Sequence, residues 1–390
     1  MRKVAIVSIG YVGFTSSDST LSFQEEMFEA AVKAYSQVGL NPRSDIDSFV
    51  SASEDYWEGY SIFDEFIPDQ LGGVLKPVCT VAQDGVNAVI NAAMQIMAGI
   101  ADVAVAEAHS KASNLLSRDH IVAFALDPVF NRPLLKREDG RVLNPVLIAG
   151  LEMNHYMQDA DVTLEQIAQV VVKNRRNALK TSYAAYPANL TVEQVLESED
   201  IAYPLKKLMI AQPADGAIVA VLAAEEEARK LTDSPVWIKG MGWCSGTPII
   251  EERDLTLPLA VRKAADMAYK MAEIEAPRRQ LDLVLVDDQY AYKELQHIEA
   301  MKLASLGEAA EMLEQGDLSP SGELPVNPEG GQLGVGHLLE ASGLQKVLEA
   351  YLQLTGQAAR RQIEGAETAL VQSWRGIPTE TTSVLILSRS

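Results

Sequence analysis

The segment GGQLGVGHLLEASG, residues 330–343, sets five glycines around a single histidine, His337. A histidine at the end of a glycine turn can present a ring N–H to a reacting oxygen, and small neighbours let a ligand chain approach. The same residue can also be inert, with its hydrogen bonds satisfied inside the fold. A second candidate group is Asp287 and Asp288, adjacent carboxylates closing an apolar run, followed by Tyr290. They are either the polar end of a strand or, once buried, a base beside a tyrosine that donates a proton or simply packs. A third is the run SRDHIVAFALDPVFNRPLLKREDGR, which gathers Arg118, Arg132, Lys136, Arg137 and Arg141 in a chain of net charge −21. It reads as a solvated loop or as a seat for the phosphates of a small anionic ligand.

Composition limits what these residues can serve. The negative balance argues against a nucleic-acid partner, which needs a basic footprint. No apolar run reaches the roughly 18–20 residues of a membrane span. The N-terminus MRKVAIVSIG reads as a strand closed by glycine, not as a cleavable leader. Cys79 and Cys244 lie far apart, so a disulfide framework or a cysteine-built zinc site is not expected. A reducing cytoplasm is the default location.

The elements that must position these groups alternate. KVAIVSIGYVGF is a continuous apolar strand, and SFQEEMFEAAVKAYSQVGL a helix that ends at Gly39. IDSFVSAS is a strand, GVNAVINAAMQIMAGI (85–100) a centrally buried helix and DVAVAEA a strand. Strand-like GAIVAVLAAEEEA and VWIKGMGW follow, then helical LPLAVRKAADMAYKMAEI, a helix over 341–355, and strands in TALVQSW and TSVLILS. NPRSDIDSFVSAS (41–53) and APRRQLDLVLVDD (276–288) echo one another, which predicts a duplicated five-stranded α/β unit. The expected division is an N-terminal half over 1–114 and 211–240, an inserted loop region over 115–210 and a C-terminal half over 241–390. The insertion is helical in TLEQIAQVVVKNRRNALK.

VVVKNRRNALK, LKKLMIAQPADGAIVAVLA, PVNPEGGQLGVGHLLEASG and RRQIEGAETALVQS occur in that order. With them the chain resembles the thiolase superfamily over nearly its whole length. It is most similar to the sterol-carrier-protein-type and archaeal thiolases that pair with a small zinc-ribbon/OB-fold protein. The resemblance implies an α/β fold of two βαβαβαββ halves in a five-layer αβαβα arrangement, with an inserted loop domain and a homodimeric core. It also implies an acyl-CoA thioester as substrate, with His337 donating to the thioester oxygen. The CoA contacts would come from Arg132, Lys136, Arg137, Gly330, Gly331 and Gly336. No metal is expected in this chain; any zinc belongs to the partner.

The family pattern is broken where its nucleophile belongs. Thiolases place a cysteine at the N-terminus of the central helix, where the helix terminus stabilises a thiolate. Matching GIADVAV to the family strand puts Ala82 at that position and Gly85 at the following glycine. Cys79 falls three residues early and is expected in the core. The last loop, QSWRGIPTETTSV, lacks the family's cysteine or histidine. Asp287 stands at its His/Asn position, Asp288 keeps its aspartate, and Tyr290 replaces an aromatic. Without a cysteinyl thioester the expected chemistry is retro-aldolase-like, C–C bond cleavage or formation beside the thioester, with Asp287 and Tyr290 as acid/base groups. The alternatives are a 3-ketoacyl-CoA thiolase using a shifted Cys79, and a non-catalytic CoA-binding or structural subunit of a heteromeric complex.

Overall fold

The computed structural model describes residues 2–53, 67–114, 144–247, 249–376 and 380–390. The first half opens with β1 (Val4–Thr15) and α1 (Phe23–Val38). The Ser22 hydroxyl accepts from the Glu25 N–H, and the Glu25 carboxylate accepts from the Ser22 N–H, so two donors at the helix start are satisfied at once. Gly39, at φ 67°, ends the helix. Next come β2 (Ser48–Ala52), β3 (Val78–Val81), α2 (Gly85–Met97) and β4 (Val103–Lys111).

The inserted segment contains α3 (Asn144–Ala160), α4 (Leu164–Asn177) and a hairpin of β5 (Asp200–Ala202) with β6 (Leu205–Lys206). β7 (Asp215–Ala224) then closes the first half. The second half follows as β8 (Val236–Ser245), α5 (Leu259–Ala272), β9 (Leu283–Leu285), α6 (Ala291–Ala300), α7 (Ala341–Leu354), β10 (Thr368–Arg375) and β11 (Thr381–Ser388).

These strands form one sheet in the order β3-β2-β4-β7-β1-β8-β11-β10-β9. The order mirrors itself about the seam where Ala5 and Ile6 pair with Trp237 and Val236. α1 covers one face of the first half and α5 the matching face of the second. α2 and α7 pack on each other and against strands of both halves. The layers therefore run α1, half-sheet, α2 with α7, half-sheet, α5, and the buried apolar residues divide into one cluster per helical layer.

The duplication repeats at the level of single atoms. Asp47 Oδ2 accepts from the backbone N–H groups of Asp102 and Val103 at 2.8 and 3.1 Å. Asp282 Oδ2 does the same for Glu367 and Thr368, both at 2.8 Å. Tyr35 caps the Leu71 carbonyl at 2.9 Å, and Tyr269 caps that of Met301 at 3.0 Å. A Cβ on Gly10 would lie 2.1 Å from the Ala30 carbonyl oxygen, and one on Gly242 2.0 Å from that of Ala264. In both halves only glycine lets the first helix lie this close to its strand.

Three expectations change. Among the described residues the second half has no full third strand: Val326 makes a parallel bridge to Val284, because Pro325 has no N–H to give and Asn327, at φ 47°, turns the chain away. GAIVAVLAAEEEA is strand only to Ala224, and its acidic run starts the helix Glu225–Leu231. Cys79 is not in the core but exposed, because β3 forms the edge of the sheet.

Candidate active site

The glycine–histidine turn is built against the chain itself. At the end of β9, Val286 N–H donates to Asn327 Oδ1 at 2.9 Å. The Asp288 carboxylate then accepts from the N–H groups of Gln332 and Leu333 at 2.6 and 3.2 Å, and from Asn174 Nδ2 at 2.8 Å. A Cβ on Gly331, at φ 56°, would sit 2.3 Å from Asp288 Oδ2; one on Gly336, at φ 117°, would sit 2.5 Å from the Ala214 methyl. Gly330 lies equally close to Asn174 and Ala178. The space these glycines leave is filled by protein. His337 is fixed through its backbone, donating to the Gln212 carbonyl at 2.8 Å and accepting from Ala214 N–H at 3.0 Å.

The His337 ring is buried. Its Nδ1 lies 2.6 Å from Gln332 Oε1 and 3.3 Å from Ser342 Oγ. Gln332 Nε2 donates to Asp287 Oδ2, and Lys346 Nζ lies 3.6 Å from the same oxygen. The structure thus joins two of the expected residues, His337 and Asp287, through a glutamine. Burial, with Glu294 nearby, pushes Asp288 up to about 7 despite its three N–H donors. Glu329, fully buried and facing Glu349 and Asp288, is pushed to about 8, also chiefly by burial.

Tyr290 belongs to a different group. Its ring stacks on Tyr292 at 6.3 Å and meets Trp374 edge-on at 6.5 Å, within the cluster under the second outer layer. Arg132, Lys136 and Arg137 lie outside the described residues.

At the α2 entrance Ala82 opens on a cavity of about 430 Å³, lined also by Val81, Gln83, Asn87, Asn91, Met94 and Trp243. Asp84 caps the helix, accepting from Val86 N–H at 2.9 Å, and its other oxygen accepts from Gly343 N–H at 3.1 Å. The N-termini of α2 and α7 are thereby tied together. Cys79 instead accepts from Gln95 Nε2 at 3.7 Å. Gln95 is eleven residues beyond Asp84, roughly 16 Å of helix rise, and desolvation pushes the thiol up rather than down. Cys79→Ala is therefore expected to leave turnover on a CoA ester within about twofold. A loss of a hundredfold or more in a folded protein would restore a covalent mechanism.

Sequence reasoning missed Gln332, Lys346 and Asn174. Gln332 lies inside the motif, but a glutamine there carries no chemical signature. Lys346 and Asn174 read as ordinary polar positions on helices. Among the described residues, no group of three or more His, Cys, Asp or Glu is placed to hold a metal ion.

A duplicated, five-layer α/β fold with a glycine–histidine turn beside the central helices defines a thiolase-class protein. Residues 243–389 match the family described as thiolase C-terminal domain-like. The chain is 30% identical over 395 residues to an acetyl-CoA acetyltransferase of Methanothermobacter thermautotrophicus, spanning 100% of both chains. It is 25% identical to sterol carrier protein 2 of Gallus gallus, spanning 95% of this chain and 69% of that protein. Among solved structures, the Ltp2-ChsH2(DUF35) aldolase superposes with a TM-score of 0.84 at 25% identity, covering 99% of this chain and 98% of that one. The chain belongs to the thiolase family.

Proposed function

We propose that this chain acts on an acyl-CoA, cleaving or forming a carbon–carbon bond beside the thioester without a cysteinyl acyl-enzyme. One observation carries the reading: alanine stands at the helix entrance where the nucleophile belongs, while the turn that holds His337 is intact. A retro-aldol step needs no acyl-enzyme, so loss of the thiol leaves that chemistry open. The likeness to an aldolase across nearly the whole chain supports this choice. Arg132, Lys136 and Arg137 are the proposed phosphate contacts, with Gly330, Gly331 and Gly336 shaping the turn beside the thioester. His337, Asp287 and Tyr290 remain the proposed site residues, with Asp287 acting through Gln332.

The test is product analysis with a β-hydroxyacyl-CoA, with and without a co-expressed zinc-ribbon/OB-fold subunit. A carbonyl compound plus a shortened acyl-CoA is the expected result. The likeness to an acetyl-CoA acetyltransferase favours a second reading. CoA-dependent thiolysis of a 3-ketoacyl-CoA would establish it and overturn the first. CoA binding without turnover in either assay would identify a non-catalytic subunit.

A homodimer forms part of the proposal. β3 pairs with β2 and ends the sheet, and an edge of this kind is normally paired or covered. Light scattering at micromolar concentration is expected to give twice the chain mass; a monomer would contradict it.

A further inference from the structure

We propose that Gln332 is a positioning residue that holds neutral His337 in its Nδ1–H form, so that Nε2 is the atom that takes a proton from the substrate. The inference rests on the reading of the chain as a cysteine-independent C–C lyase, and it adds the residue that sets the histidine's role.

The argument starts at the buried end. Asp287 Oδ2 faces the Lys346 ammonium and its Oδ1 takes the Gln289 N–H at 3.0 Å, so this side chain acts as an acceptor. The Gln332 side chain must therefore turn its NH₂ toward Asp287 Oδ2. An amide is planar, so its oxygen then points the other way, at His337 Nδ1, 2.6 Å off. Oxygen and a bare nitrogen lone pair would repel at that distance, so Nδ1 carries the hydrogen. Ser342 Oγ, which accepts from Leu338 N–H at 3.0 Å, gives the same nitrogen a second, longer acceptor at 3.3 Å. The Gln332 main chain is fixed, its N–H held by Asp288 and its carbonyl accepting from Gly336 N–H at 2.9 Å.

A neutral imidazole with hydrogen on Nδ1 has its lone pair on Nε2. The expectation of a neutral ring donating to the thioester oxygen is thereby revised. Nε2 first removes the hydroxyl proton of a β-hydroxyacyl thioester. The Cα–Cβ bond breaks, a C=O forms at Cβ, and the bond's electron pair passes into the thioester as an enolate. The imidazolium then carries its new Nε2–H beside that enolate and returns the proton to Cα. One proton is taken and given back, and no oxidant, reductant or water is consumed. Donation to the developing oxyanion belongs to this second stage alone.

The test is ¹⁵N NMR of the protein labelled at its five histidines, with the His337 signals identified by their loss in His337→Gln. The wild-type protein should show a protonated Nδ1 and a pyridine-like Nε2. Gln332→Leu should convert the pair to a mixture or to the opposite form. Its kcat should fall about 10–100-fold with KM little changed, as for other residues that orient a functional histidine, and the acid limb of its pH–rate profile should move. A protonated Nε2 in the neutral wild-type ring would overturn the proposal, as would Gln332→Leu with unchanged tautomer and rate. If Gln332→Leu does not fold, the wild-type spectrum alone decides. If no CoA ester turns over, the lyase reading fails while the spectra still judge the role of Gln332.

Discussion

His337→Ala should lower kcat on a CoA thioester by about 10²–10³ and leave thioester affinity within a few-fold. In the proposed mechanism, the proton that His337 moves and the charge its Nε2–H then meets exist only on the way through the transition state. Losses of this order are typical when a positioned base or oxyanion donor is removed. The backbone of residue 337 is tied to Gln212 and Ala214 by main-chain bonds that alanine keeps, so the turn should survive. Deleting the ring leaves Gln332 Oε1 without its donor, a cost of about 1–3 kcal/mol in stability. Turnover, affinity and melting temperature measured on one preparation separate the outcomes. A lower melting temperature with turnover per folded molecule unchanged would make His337 purely structural. An unchanged rate in a folded, partner-bound variant would end its assignment to the chemistry.

Lys346→Met should reduce stability by about 3–5 kcal/mol, the usual range when one member of a buried ion pair is removed. The Lys346 side chain is fully buried, with Asp287 Oδ2 at 3.6 Å and the Ser342 carbonyl at 3.3 Å. Methionine fills the volume but leaves Asp287 without its buried countercharge. Adding Asp287→Leu removes the stranded carboxylate and should recover most of the stability, since well-packed apolar pairs replace buried ion pairs at little cost. It should not recover activity, because Gln332 then has no acceptor to orient its amide. Urea unfolding of the three proteins gives the comparison. A loss below about 1 kcal/mol for Lys346→Met would show the pair to be incidental, and a fully active double variant would remove Asp287 from the site.

Much of the frame is local and was legible in the residues. Ser22 with Glu25 starts α1 and Gly39 stops it, because capping is decided within one turn of backbone. The echo between 41–53 and 276–288 predicted the duplication, and Asp47 and Asp282 show why it persists: each holds the start of a neighbouring strand. The turn around His337 and the carboxylates at 287 and 288 could be picked out by type and spacing, whereas Ala82 stood out only through the resemblance to the thiolase pattern.

What escaped the sequence depended on partners brought from far along the chain. α7 carries Gln345, Lys346 and Glu349, which suit a solvent-facing stripe, yet all three are buried between the half-sheets. Their charges are tolerable there because Asp287 meets Lys346 and Arg361 meets Glu349 at 2.8–2.9 Å. Cys79 looked like a core residue because its neighbours are apolar, and only the strand order put it on an exposed edge. Sequence determined that His337 stands on a glycine turn with no nucleophilic cysteine at the helix entrance. In the tautomer we propose, the nitrogen that bears the hydrogen is set by tertiary structure, through the Asp287–Gln332 pair whose amide faces the ring.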